Sequence, residues 1–187
     1  MPERGLQLTL EAGQSLPVNL CWRVRGGYLR ATACTGTSDN FTLGIWGPGE
    51  VAIPELLNQH RVELRALSQA SVHEWHPDQT EHHGCCTFQI QQMGMLLQLS
   101  RIRPVEARLF HLLFWLAERF GTTTEHGRTV PLEVMNLTHR QMAEMASVSR
   151  VTVTKALGHF RQQGWLFQVG EVEVMSAASI TAFQGFR

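Results

Sequence analysis

The hydrophobic positions of this 187-residue chain change period along its length, and the changes divide it. Over residues 1–76 short apolar runs are cut by turn formers: Gly13, Pro17, Gly26, Gly27, Gly36, Gly47, Pro48, Gly49 and Pro54. Leu6–Leu10 and Val62–Leu67 alternate apolar and polar residues, the period of half-buried strands. Short strands at this spacing predict a small antiparallel barrel or jelly roll. From Asp78 the period lengthens. Asp78 caps a predicted helix through Phe88, Met95, Leu96, Leu99 and Ile102. That helix is long enough to pair with a twofold mate, with Gln91, Gln92 and Gln98 at the flanks of the seam. Gly84 and Gly94 weaken it by up to ~1 kcal/mol each relative to alanine. Pro104 interrupts the pattern and marks a hinge. Val105–Phe120 then predicts a strongly apolar helix whose Leu109, Leu112, Leu113, Trp115 and Leu116 belong to a core, and a loop over Gly121–Gly127 leads into a strand at Arg128–Leu132.

The most telling pattern follows at Leu137–Leu166. Thr138 with Gln141 three residues on is a capping box, so a short helix starts at His139, with Met142, Ala143, Met145 and Ala146 as its apolar face. Ser147–Ser149 supplies a turn, and Ser149 is a good N-cap for the next helix. There Val153, Ala156, Leu157 and Phe160 form a buried stripe, leaving Arg150, Val151, Thr152, Thr154 and Lys155 outside. Gly164 ends that helix, and Trp165–Val169, Gly170 and Glu171–Val174 read as strand, turn, strand. A helix polar and basic at its leading end and anchored along one flank suits a DNA major groove, where arginine pairs bidentately with guanine. Threonine and lysine reach phosphates and set register. The alternative on periodicity alone is a helical hairpin with a solvated polar face.

Charge separates these two. The whole chain has 16 basic and 16 acidic residues, but residues 1–99 hold 6 and 9 while residues 100–187 hold 10 and 7. Within Leu137–Trp165, Arg140, Arg150, Lys155 and Arg161 against Glu144 leave a net +3. The sign favours nucleic acid, and an affinity carried by a local patch should fall steeply with salt.

With Leu137-Thr138 leading into one helix and Ser149–Lys155 plus Leu157 in the next, the chain resembles the Crp/Fnr family of bacterial transcription regulators. The Arg150–Thr154 run is most similar to cyanobacterial members such as the global nitrogen regulator. Arg101–Arg108 and Leu112–Gly121 extend the resemblance, and Trp22–Arg30 and Leu43–Glu50 carry it more weakly into the N-terminal half. It implies an α+β architecture: a cyclic-nucleotide-binding-like barrel or jelly roll at 1–76, a dimerisation helix at 77–103 and a winged helix-turn-helix at 104–187. The start looks trimmed relative to the family's sensor domain. Where cyclic-AMP-binding members place glutamate after the recognition arginine, this chain has Val151, which meets a thymine methyl rather than cytosine N4. The expected operator is therefore nearer a GTA…TAC palindrome. Ser147 stands where the family usually has glycine, at little cost unless the turn needs a positive φ.

The resemblance also frames what the N-terminal half would sense. After Gly49-Glu50, His60 and Arg61 stand where nucleotide-binding members carry an Arg-Ser pair, and Met93 and Gly94 stand where the dimer helix would meet the base. Cyclic-nucleotide binding is thus not expected. Glu50, Arg61 and Arg65 remain as effector candidates, with a small acid such as 2-oxoglutarate and an empty pocket both open. His73, His76, His82, His83, Cys85 and Cys86 suit zinc, copper or haem iron by residue type, but their spacing matches no standard motif. A metal- or redox-sensing barrel, or a cupin-like metalloenzyme, is the rival reading.

Composition bounds the rest. No apolar run approaches ~20 residues, the N-terminus lacks a signal-peptide core, and Cys21, Cys34, Cys85 and Cys86 show no disulfide spacing. A cytoplasmic, non-enzymatic homodimer without cofactor is expected, binding double-stranded DNA, meeting RNA polymerase and answering to a small-molecule effector if to any. Arg150 is expected to read guanine, with Val151 and Lys155 near base edges. Thr138, Arg140, Thr152 and Thr154 would contact phosphates, and Ser149 would complete the DNA-binding set.

Overall fold

The computed structural model describes residues 5–34, 40–57, 62–76 and 78–184, which form two compact units, 1–98 and 99–187. The first holds β1 (Gln7–Leu10), β2 (Ser15–Leu16), β3 (Trp22–Gly26), β4 (Leu29–Cys34), β5 (Asn40–Trp46), β6 (Val51–Ala52), β7 (Val62–Ala66) and β8 (Ala70–Glu74). They make two four-stranded sheets, ordered β1-β8-β3-β6 and β2-β7-β4-β5. The neighbours pair antiparallel.

Alternation explains the shared core. Trp22 and Val24 from one sheet meet Leu29, Ala31, Trp46 and Leu64 from the other, all fully buried. The positions between them, such as Glu63 and Arg65, turn outward. Arg30 departs from this rule. It lies between two core residues of β4 yet is only 5% exposed, and its Nε and Nη2 donate to Thr42 Oγ1 at 3.0 and 2.7 Å. The β3–β4 turn needs glycine at position 27. Its φ is +73°, and a Cβ there would lie 2.1 Å from the Gln69 carbonyl.

Helix α1 (Gln79–Arg101) begins as expected, with Asp78 Oδ1 accepting from the Thr80 and Glu81 amides at 2.9 and 2.8 Å. Its faces differ from the sequence expectation. Gln92 is not at the flank of an exposed seam: it is buried, and its Oε1 accepts the Ile45 amide hydrogen. Gln89, one turn earlier, donates to the Ile53 carbonyl at 3.2 Å. Leu96 and Leu99 are buried as well, whereas Ile90 and Leu97 are 69% and 62% exposed with Met93 between them. The apolar pattern had two faces to serve, and the amides went inward because β5 and the segment after β6 offer them backbone partners.

The second unit holds α2 (Val105–Phe120), β9 (Thr123–Thr124), β10 (Gly127–Val130), α3 (His139–Ala146), α4 (Arg150–Gln162), β11 (Leu166–Val169), β12 (Val172–Ser176) and α5 (Ala177–Gln184). Its sheet runs β11-β12-β10-β9. Three helices close over hydrocarbon: Leu109, Phe110, Leu112 and Leu113 of α2, Met142 and Ala146 of α3, and Val153, Leu157 and Phe160 of α4. Phe110 meets Phe160 edge-on at 5.5 Å, and Phe160 stacks on Trp165 at 5.6 Å. Each such buried ring contributes about 1.5–3 kcal/mol of transfer free energy. The β11–β12 hairpin turns at Gly170 (φ 63°), as expected; α5 had no signal in the pattern.

Candidate nucleic-acid interface

The capping box forms in full. Thr138 Oγ1 accepts from the Gln141 amide at 3.2 Å, and Gln141 Oε1 accepts from the Thr138 amide at 2.8 Å, so α3 starts at His139. It ends at Ser147, whose φ and ψ of 51° and 53° are left-handed. The turn does need a positive φ, so serine here carries a strain that glycine would not. Arg108 steadies the turn: Nη1 donates to the Ala146 and Ser147 carbonyls at 2.9 and 3.2 Å, and Nε to Ile102 at 3.1 Å. No sequence signal marks this role, because it depends on where α2 lies against the turn.

Ser149 then caps α4, accepting from the Thr152 amide at 3.1 Å. The stripe of Val153, Ala156, Leu157 and Phe160 is buried, so the other side of the same helix faces out. Val151 is 62% exposed, and Arg150, Thr154 and Lys155 are exposed beside it.

The net charge of this segment overstates what is free. Arg161 makes a two-pronged contact with Glu173 of β12, Nε to Oε1 at 3.0 Å and Nη2 to Oε2 at 2.6 Å, and Glu173 is 6% exposed. That hydrogen bond raises the arginine pKa further, outweighing the opposite effect of burial. Arg140 pairs with Glu144 at 3.3 Å, an exposed contact worth little. Arg150 and Lys155 make no ion pair among the described residues. The hydroxyls are also engaged: Thr138 donates to Gln141 Oε1 at 3.0 Å, Thr154 donates to the Arg150 carbonyl at 3.2 Å, and Thr152 shares a 2.8 Å hydrogen bond with Ser149. His139 Nδ1 lies 2.9 Å from Thr154 Oγ1, a contact not foreseen.

The effector candidates are dispersed. Glu50 Oε2 accepts from the Gly47 amide at 2.8 Å and so braces a turn; burial first, and then Glu50, raise the Tyr28 phenol pKa. Arg65 pairs with Glu63 at 2.9 Å on the outer side of β7. His60 and Arg61 lie outside the described residues.

The histidines and cysteines are likewise apart in role. His73 is buried and its Nδ1 accepts from Arg25 Nε at 3.0 Å, His76 pairs with Glu74 at 3.2 Å, and Cys86 Sγ sits 3.4 Å from His82 Nδ1. Cys85 and Cys86 are both half-buried rather than enclosed. Burial is the main cause that pushes the Cys21 and Cys85 thiols up. No group of three or more metal-binding side chains converges among the described residues. The metal-sensor and cupin-like readings are not favoured.

Comparison with known proteins agrees with this surface. The model of the Crp-like helix-turn-helix domain matches residues 107–181. Over 146 residues the chain is 34% identical to the regulatory protein CysR of Synechococcus elongatus, spanning 78% of this chain and 71% of that protein. The fold is similar to FixK2 from Bradyrhizobium japonicum, with a TM-score of 0.76, 15% identity and coverage of 97% of this chain and 96% of that one. A CRP-family transcriptional regulator from Thermus thermophilus gives a TM-score of 0.74 at 18% identity, covering 95% and 96%. A capped helix pair, an exposed basic helix end and a hairpin wing thus occur in a chain that belongs to the Crp/Fnr family of DNA-binding transcription regulators.

Proposed function

We propose that this regulator binds a near-palindromic duplex as a homodimer, one α4 entering each of two successive major grooves. The observation that carries this reading is the exposure of Arg150, Val151 and Lys155 opposite a fully buried stripe on the same helix. Arg150 takes guanine O6 and N7, Val151 meets a thymine methyl, and Lys155 lies at a base edge or phosphate. Ser149, Thr138, Arg140, Thr152 and Thr154 line the backbone path. Thr138 and Thr154 must release local hydrogen bonds to donate to phosphate. The segment 77–103 acts as the dimerisation helix through Ile90, Met93 and Leu97, an apolar stripe at helical spacing left exposed in the single chain. A small acidic effector would have to displace Glu63 from Arg65. The protein works in the cytoplasm and meets RNA polymerase at promoters; no helix among the described residues is long and apolar enough to cross a membrane.

Selection of duplexes from random DNA by the full chain, with the mass of the selected complex measured, tests this. The expected result is enrichment of two inverted half-sites about one helical turn apart, bound by two chains. A single unpaired half-site, or no enrichment, would overturn it.

A further inference from the structure

We infer that His139 is a proton-dependent phosphate contact, so that DNA binding takes up a proton at each copy of this ring. The inference deepens the DNA-contacting surface proposed above and rests on it. It starts from one hydroxyl and two neighbours. Thr154 Oγ1 is within hydrogen-bond distance of both the Arg150 carbonyl (3.2 Å) and His139 Nδ1 (2.9 Å). A threonine hydroxyl has a single proton to donate, and the carbonyl can only accept. The assignment that satisfies both contacts gives the hydroxyl proton to the Arg150 carbonyl and has His139 Nδ1 donate to Thr154. With Nδ1–H committed, the charge of the ring is decided at Nε2. A bare Nε2 presents a lone pair, which repels a phosphate oxygen. A protonated Nε2 donates a charge-assisted hydrogen bond to it.

Position makes that distinction matter. His139 is the first residue of α3, beside the capped end where helix amides already favour an anion. Through Thr154 it is tied to the outward side of α4. The threonine hydroxyls beside it reach phosphate only by giving up local acceptors, whereas protonation adds a donor on the ring at no such loss. The charged groups around it come from every adjoining element. Arg140 with its partner Glu144 comes from α3, and Arg150 and Lys155 come from α4. A cavity of about 470 Å³ is lined by Thr138 and His139 with Glu133, Glu171 and the Arg161–Glu173 pair. Glu173 and Arg161 largely cancel. Phosphates arriving at the cationic side add negative charge next to the ring and favour its charged form.

The sign follows from linkage. A state that binds more protons gains as pH falls, so duplex affinity should rise from pH 8 to pH 6, by up to about tenfold per pH unit for each proton taken up. The test uses the full chain, its selected duplex at constant ionic strength, and three proteins: the natural chain, His139→Gln and His139→Arg. Glutamine keeps a donor for Thr154 but never charges, and should flatten the profile at the weak, high-pH level. Arginine is charged throughout and should flatten it at the tight level. Thermal melting of each protein without DNA separates folding from binding. A pH slope that survives in His139→Gln would assign the proton to another imidazole and overturn this inference while leaving the DNA reading intact. A flat profile in the natural chain would overturn it equally. Absence of binding to any duplex at any pH would overturn both.

Discussion

The two units bury different things. The interior of the winged unit is nearly all hydrocarbon: its buried polar residues among those described are Ser179 and Glu173, the latter clasped by Arg161. The β unit encloses Arg30, Thr42, His73, Gln89 and Gln92. In the first, burial and apolar character coincide, so a pattern of hydrophobic positions already describes the packing. In the second, polar groups are inside because partners await them there: Thr42 for Arg30, Arg25 for His73, and the backbone at Ile45 and Ile53 for the two glutamines. A buried polar group is tolerated only when it is hydrogen-bonded.

The contrast breaks most sharply with Phe160→Ala. It removes a fully buried ring packed on Phe110 and Trp165, and should cost about 3–5 kcal/mol of stability by denaturant titration. The counterpart in the β unit is polar. Gln92→Leu adds hydrocarbon to an interior position but removes the acceptor of the Ile45 amide, and should cost about 1–3 kcal/mol. A gain in stability would show that this unit, too, is governed by apolar burial alone.

On the exposed side of α4, Arg150→Ala should weaken operator binding by about 1–3 kcal/mol and relax preference at one base pair, read by repeating the duplex selection. Equal loss on every sequence would reduce Arg150 to a phosphate contact. Ser147→Gly should stabilise by about 1 kcal/mol, since glycine adopts φ 51° without strain, and leave DNA preference unchanged. The smallest effect concerns reactivity. The raised pKa of Cys21 and Cys85 keeps them as thiols at neutral pH, so alkylation by iodoacetamide should be slow there. It should accelerate only above the ordinary cysteine range.

The caps of α3 and α4, the stripe on α4 and the turn at Gly170 were legible because each depends on residues within a few positions. The +3 charge was legible as a count but not as a field, since Glu173 silences Arg161 from 12 positions away. Gln92 was misplaced because its partner, Ile45, is 47 positions distant on another element. The cost at Ser147 depends on a backbone angle that residue type does not reveal, and that angle is positive.

From composition and period alone came the division into a strand-rich half and a helical reading head, the two caps, and the identity of the outward residues on α4. Folding in three dimensions decided which cations stay free, which side of α1 lies open, and that a histidine touches Thr154. The reason is one of range. Caps and periodicity are properties of a single turn or strand, whereas pairing and exposure belong to whatever else the chain brings alongside.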